Sequence, residues 1–243
     1  MELAGRTAIV TGAGGSLGSA IVGAFRGAGA RVVAVDIRAE AFAALKAADP
    51  ELVTVVADVT APQDGAKIVA AAGERIDILC NCAAILGRPA LMDEMSPEEW
   101  DRIIAINLTG PFLVTRAVIP VMLRNGRGAI VNIASIAGLG RGQSSAAYTS
   151  SKHGLIGMTE HIAYAYGDQG IRANAICPGG MQPAMQMQPP SERFAALFAK
   201  RKSDRPAPAP VEKVAAVAVF LASDAAAHIN GASLPVDSGA MHW

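Results

Sequence analysis

Short apolar runs recur along this chain, each closed by glycine or a polar residue and followed by a segment of helical period. Thr7-Ala8-Ile9-Val10 leads into Thr11-Gly12-Ala13-Gly14-Gly15-Ser16-Leu17-Gly18. A helix is predicted next, with Ile21, Val22 and Phe25 on its inner side and Gly27 and Gly29 closing it. Residues 31–36 predict a second strand that ends in Asp36. Residues 52–57 predict a third that ends at Asp58-Val59, with a helix from about 62 to 74 behind it. The rhythm continues with a strand at 76–79 ending in Asn81-Cys82-Ala83-Ala84, a largely helical stretch at 100–121 and a strand at 129–135. A helix at 147–166, a strand at 171–176 closed by Pro178-Gly179-Gly180, a helix at 211–221 and a strand at 232–236 complete it. Strands this apolar, separated by helices, predict a parallel sheet covered on both faces. The expected fold is α/β: a doubly wound, seven-stranded, Rossmann-like parallel sheet in three layers, one domain over residues 1–243.

One segment breaks this rhythm. Residues 181–210 carry Met181, Met185, Met187 and six prolines, with a helix expected from about 191 to 202. An insertion of this length after a strand's carboxyl end predicts a lid over a site. Its methionines either offer soft apolar surface to a ligand or pack the lid onto the core.

Charge and cysteine content narrow the partners. The 243 residues hold 21 basic and 21 acidic side chains, a formal net charge of zero, which argues against a nucleic-acid or anionic-membrane surface. Cys80, Cys82 and Cys177 are odd in number, and Cys80-Asn81-Cys82 is too tight for a usual zinc pair, so reduced thiols and no metal site are expected. The first residues lack a signal-peptide apolar region, and no apolar stretch reaches the ~18 residues of a membrane span. A cytoplasmic location is expected.

The chemistry gathers at two places. Strand, glycine turn and helix in succession let the backbone approach a pyrophosphate, whose charge meets the free N–H groups of the helix start. Asp36, at the end of the second strand, suits hydrogen bonds from ribose hydroxyls and repels a 2′-phosphate, so NAD is favoured over NADP. Arg38 is the residue that would serve NADP instead. The second place is Ser135, at the end of an apolar strand, with Tyr148 and Lys152 four apart on one helix face. An ammonium beside a phenol favours the phenolate, which predicts a lowered Tyr148 pKa and general acid–base work. A Tyr-x-x-x-Lys pair by itself is more readily a surface pair.

Taken together, these motifs resemble the short-chain dehydrogenase/reductase family, of the single-domain kind, over nearly the whole chain. The resemblance rests on Thr11-Gly12 through Gly18, Asp58, Asn81-Cys82-Ala83-Ala84, Asn107, Ser135, Tyr148 with Lys152, and Asn174 with Pro178-Gly179. It implies a catalytic set of Asn107, Ser135, Tyr148 and Lys152. Tyr148 would exchange a proton with the substrate oxygen, Ser135 would orient that oxygen, and Lys152 would hold the nicotinamide ribose. Asn107 would hold a water linking Lys152 to solvent. Cofactor contacts are implied at Gly12, Gly14, Ser16, Leu17, Gly18, Asp36, Ile37, Asp58, Val59, Asn81, Ala83, Tyr148, Lys152, Pro178, Gly179 and Met181. Three positions depart from the family pattern: Ser16 replaces a glycine, Asn81-Cys82-Ala83-Ala84 loses a final glycine, and Pro183 replaces a threonine. The implied activity is NAD-dependent interconversion of an apolar or cyclic secondary alcohol and its ketone. The alternatives are an NADP-dependent carbonyl reductase and a catalytically silent dinucleotide-binding regulator. The resemblance also implies a homotetramer built partly on the helix that carries Gly154, Gly157 and Ala163, and Trp243 is expected to pack rather than hang free.

Overall fold

Strand β1 (Thr7–Thr11) is buried at every position and lies at the centre of a seven-stranded sheet. The computed structural model describes residues 2–140, 144–182, 185, 188–200 and 206–242. Pro183, Met187 and Trp243, singled out above, lie outside the described residues. With β2 (Arg31–Asp36), β3 (Val53–Val56), β4 (Ile78–Asn81), β5 (Gly128–Ile133), β6 (Ile171–Pro178) and β9 (Ser233–Val236), the order is β3-β2-β1-β4-β5-β6-β9. Every pairing in it is parallel. Two residues, β7 (Met181–Gln182), pair with two more, β8 (Ala209–Pro210), and so tie together the two ends of the segment expected to be a lid.

The alternation of side chains along β1 sorts the core into two layers. Val10 faces helices α1 (Ser16–Gly27) and α8 (Val211–Ala222), where Ile21, Phe25, Val214 and Leu221 pack. Its neighbour Ile9 faces the other way, towards α3 (Asp64–Ala72), α5 (Gly110–Arg124) and α6 (Ala146–Tyr166), among Ile68, Val118 and Ile162. The three-layer, single-domain expectation holds. Helix α2 (Ala43–Ala48) is short and has no buried residue.

The differences from the expected boundaries have local causes. Strand β4 starts two residues later than expected, at Ile78, and just before it the Asp77 carboxylate accepts the Thr7 N–H at 2.9 Å and pairs with Arg75. The helical stretch starts earlier than expected, at α4 (Pro97–Ile104), where the Ser96 hydroxyl caps the Glu99 N–H and proline takes the first turn. It then runs through a π turn at Ala105–Thr109 into α5. Pro97–Arg124 thus forms a continuous 28-residue helix that is, by length and composition, long and apolar enough to cross a membrane. The expectation that no such stretch exists is corrected. In this fold, Val114, Val118 and Met122 of that helix are buried against the sheet. On β6, Asn174 donates to the Ile229 carbonyl and accepts from the Ala232 N–H, fixing the bend that leads into β9.

Phe25 is fully buried between α1, α8 and the sheet. Phe25→Ala is expected to lower the unfolding free energy by about 3–5 kcal/mol, read from urea denaturation. A loss under about 1 kcal/mol would show that this layer is not packed as described.

Candidate active site

All seven carboxyl ends lie on one edge of a parallel sheet, and a cleft of about 610 Å³ opens there, where the strand order reverses between β1 and β4. The glycine turn builds its floor. Gly12 has φ +66°, and a methyl group added to it would come within 2.7 Å of the Ala83 backbone. A methyl group on Gly18 would lie 2.0 Å from the Gly12 carbonyl oxygen. Only glycine admits this close turn of strand into helix. The first turn of α1, Ser16-Leu17-Gly18, lines the cleft, and no side chain caps that helix end. An uncapped helix start behind a glycine cradle fits the pyrophosphate of a dinucleotide. Thr11 braces the turn from behind, its hydroxyl accepting the Cys82 and Ala83 N–H groups at 3.1 and 3.3 Å.

Asp36 stands at the far end of this floor. It accepts the Gly14 N–H at 3.0 Å and the Arg38 N–H at 3.1 Å, which hold its carboxylate against the glycine turn. The Arg38 guanidinium lies 3.5 Å from the same carboxylate with its side chain mostly exposed.

The reactive side chains meet at the other end. Ser145 caps α6 by accepting the Tyr148 N–H, which aims the first turns of that helix at the cleft. Tyr148 and Lys152 are both buried, with the Lys152 nitrogen 5.6 Å from the Tyr148 ring centroid. The lysine donates to the Ile133 carbonyl at 2.8 Å. Ser135 accepts the Ala137 N–H at 3.1 Å, and it lines the cleft together with Tyr148.

The predicted acidification of Tyr148 is not what the surroundings produce. Burial pushes the phenol up to about 12, against a downward pull from the Ser135 hydrogen bond. Burial also pushes Lys152 down, to about 8. The ammonium lies beside the ring and bonds a carbonyl, so desolvation outweighs its attraction for a phenolate. Burial likewise raises the half-buried Cys82 thiol on the cleft wall to about 12, leaving it protonated.

Sixteen of the residues expected as catalytic or cofactor contacts share this one cleft wall: Gly12, Gly14, Ser16, Leu17, Gly18, Asp36, Ile37, Asp58, Val59, Ala83, Ser135, Tyr148, Lys152, Pro178, Gly179 and Met181. Asn81 and Asn107 are not on it. Asn81 is buried, and its side-chain amide donates to Thr115 and Asn132 in the core at 3.0 and 2.8 Å. The Asn81 side chain thus forms an interior link between β4, β5 and α5. Asn107 sits in the π turn, fully buried, exchanging hydrogen bonds with both the N–H and the C=O of Ile85 at 2.9 Å. It also donates to Ser151, which bonds the Tyr148 carbonyl. Its side chain clamps the loop after β4 to the helix that carries Tyr148. Sequence reading did not place Leu86, Arg102, Ile106 or Gln188 on the cleft. The i, i+4 spacing of Arg102 and Ile106 was a usable signal, lost because nothing showed which face of that helix turns inward.

With this geometry in place, comparison with known proteins is informative. A family model described as enoyl-(acyl carrier protein) reductase matches residues 12–241. 3beta-hydroxysteroid dehydrogenase 2 of Eggerthella lenta is 38% identical, covering 98% of this chain and 95% of the relative. The solved structure of levodione reductase superposes with a TM-score of 0.87 at 31% identity, covering 99% of this chain and 100% of that one. The chain belongs to the short-chain dehydrogenase/reductase family. It is an NAD(P)-dependent enzyme of the alcohol dehydrogenase and ketone reductase type. D-threitol dehydrogenase of Mycolicibacterium smegmatis, 40% identical over 98% of this chain and 94% of its own length, is a further relative.

In this short-chain dehydrogenase/reductase the buried lysine is a stability cost. Lys152 releases its proton near 8 when folded and near 10.5 when unfolded. The unfolded state thus binds more protons across that window, and stability rises as pH climbs from about 8 towards 10.5. Below about 8 the full penalty applies. Lys152→Met is expected to stabilise the protein at pH 7 by about 2 kcal/mol, roughly 3 from removing a buried charge less roughly 1 for the lost hydrogen bond. Urea unfolding at pH 7 and pH 10 checks this. A variant no more stable than the parent at pH 7 would show that burying the ammonium costs nothing.

Proposed function

We propose that this chain is an NAD-dependent oxidoreductase interconverting an apolar or cyclic secondary alcohol and its ketone, with Ser135, Tyr148, Lys152 and Asn107 managing the proton. The observation that carries the reading is Ser135, Tyr148 and Lys152 gathered on the wall of one cleft that also holds Asp36, with the Lys152 nitrogen 5.6 Å from the Tyr148 ring centroid. A hydroxysteroid and D-threitol, named in two relatives, both contain secondary alcohols. When bound, the nicotinamide supplies the hydride acceptor or donor.

The chain's own share is placement and the proton. A substrate oxygen lying between the two hydroxyls is held by Ser135 and by Tyr148. In reduction Tyr148 gives this oxygen a proton, and in oxidation it takes one. A phenol titrating near 12 is protonated at neutral pH, which suits donation to a ketone. Alcohol oxidation needs the phenolate and gains from alkaline conditions. Lys152 keeps positive charge next to the ring while bonded to Ile133, and Asn107 keeps the Ile85 loop in place.

Two features support NAD. Asp36 presents its carboxylate where ribose hydroxyls are read, and Arg38 is spent on pairing with it. The exposed reach of the Arg38 side chain favours NADP as the second reading.

The proposal extends to a cytoplasmic homotetramer without nucleic-acid or membrane partners. Cys80, Cys82 and Cys177 are all free thiols, which suits a reducing compartment. On α6, Tyr164 is 91% exposed, and nothing within 4 Å would meet a methyl group at Gly157, seven residues earlier on the same face. Gly154 has a different use, since a methyl group there would strike Leu108 within the same subunit.

Purified protein is expected to reduce NAD with members of a panel of cyclic and acyclic secondary alcohols, faster at pH 9 than at pH 7. Tyr148→Phe is expected to lower kcat at least ~10³-fold with NAD binding retained. Retained turnover in that variant would refute Tyr148 as the acid–base group. Asp36→Ala is expected to weaken NAD binding about tenfold and to narrow the NAD-to-NADP ratio, measured by nucleotide titration. A parent protein that already prefers NADP would establish the second reading.

A further inference from the structure

Two lips border the substrate end of the cleft. One is the loop after β4, where Leu86 and Gly87 line the opening. The other is the segment after β7, where Met185 and Gln188 line it from across. Four residues beyond Gln188, helix α7 (Glu192–Lys200) begins, and none of its residues is buried. Its apolar side chains Phe194 and Leu197 are only half-buried.

Its starting residue is different. Ser191 is 4% exposed, in a stretch otherwise open to solvent. Its N–H donates to the Pro89 carbonyl at 2.9 Å, two residues past Gly87. Its hydroxyl donates to Glu94 Oε2 at 2.5 Å and accepts the Phe194 N–H at 3.1 Å, so one oxygen both caps α7 and docks it. The same Glu94 oxygen accepts the Leu91 N–H at 3.0 Å, fixing the short turn at Met92–Glu94. Arg193 adds exposed ion pairs to Asp93 at 2.7 Å and Glu94 at 3.5 Å. Such pairs contribute little individually, whereas Ser191 is shielded from water. The Ser191 hydroxyl and the Leu91 N–H hold the Glu94 carboxyl below its ordinary range, so it stays ionised as an acceptor through neutral pH.

We infer that the Ser191–Glu94–Pro89 node is a clasp joining the two lips of the cleft, and that Ser191 and Glu94 are positioning residues that set how tightly the organic substrate is held. The inference rests on the function proposed above and adds the part of the molecule that governs substrate retention. With the clasp made, Gln188 and Met185 are held across from Leu86. With the Ser191–Glu94 bond broken, the contacts left among the described residues include the Ser191 N–H bond to Pro89, the exposed ion pairs and the distant β7–β8 pairing. Substrate contacts weaken while the glycine turn and Asp36, on the other side of the sheet's switch point, are untouched.

Ser191→Ala and Glu94→Ala test this, with Ser191→Thr as the conservative variant that keeps the hydroxyl. Backbone amide exchange at residues 194–197 is expected to quicken at least ~tenfold in both alanine variants and to stay near the parent rate in Ser191→Thr. KM for the fastest alcohol of the panel is expected to rise about fivefold, with the NAD dissociation constant unchanged within about twofold. Acrylamide quenching of NADH fluorescence in the binary complex is expected to rise in step. Unchanged amide exchange would overturn the clasp. Faster exchange with KM and quenching unmoved would also overturn it, because the node would then hold a helix of no consequence to the site. A parent protein inactive on every alcohol would refute the proposed function instead, leaving exchange and quenching to decide the clasp.

Discussion

Parallel pairing of all seven strands is the constraint from which the rest follows. It brings every carboxyl end to one edge, and the reversal of order between β1 and β4 prevents the two following connections from covering the same place. The gap can be used only because backbone meets backbone there. Gly12 lies against Ala83, Gly18 lies against the Gly12 carbonyl, and Thr11 and Asp36 satisfy the N–H groups that this crowding leaves over. Three strand ends are thereby locked around the floor of one cleft before any reactive side chain is considered.

The reactive side chains are bought with stability. Lys152 places an ammonium in the interior with one carbonyl partner, and Tyr148 places a phenol where ionisation is opposed. Both shifts have burial as their first cause, and both favour the uncharged form of the group. A folded protein without function would replace both with apolar residues. Their retention together, joined by Ser135 at one end and by Asn107 through Ser151 on the other, is the sign of a site organised for proton transfer.

The loop after β4 links these two regions. Asn107 grips it at Ile85, Glu99 accepts the Arg88 N–H, and Pro89 and Glu94 meet the start of α7. One loop is thus held at its base by a rigid helix and at its tip by a segment whose helix has no buried residue. Rigid positioning of the reacting groups and looser enclosure of the substrate are separated along ten residues of chain.

The sheet, its order of elements and most of the cleft wall were legible from sequence, because continuous apolar runs, a glycine turn between strand and helix, and a four-residue Tyr–Lys spacing are local signals. Gly12, Asp36, Ser135, Tyr148 and Lys152 each sit at the end or start of an element, so locating the element located the residue. What was not legible was whatever depended on direction or surroundings. Asn81 and Asn107 turn their side chains into the core, an orientation set by Thr115, Asn132 and Ile85, which lie far away in sequence. The Tyr148 pKa was read from a single neighbour, whereas desolvation sums over everything that excludes water, and only the folded chain contains that sum. The Ser191–Glu94 contact spans 97 residues and has no local signature at all. Sequence alone therefore determined which backbone elements form and where they end, since those obey short-range sterics and periodicity. Tertiary structure alone decided which polar groups find each other and what water they lose, since both are properties of packing across the sheet.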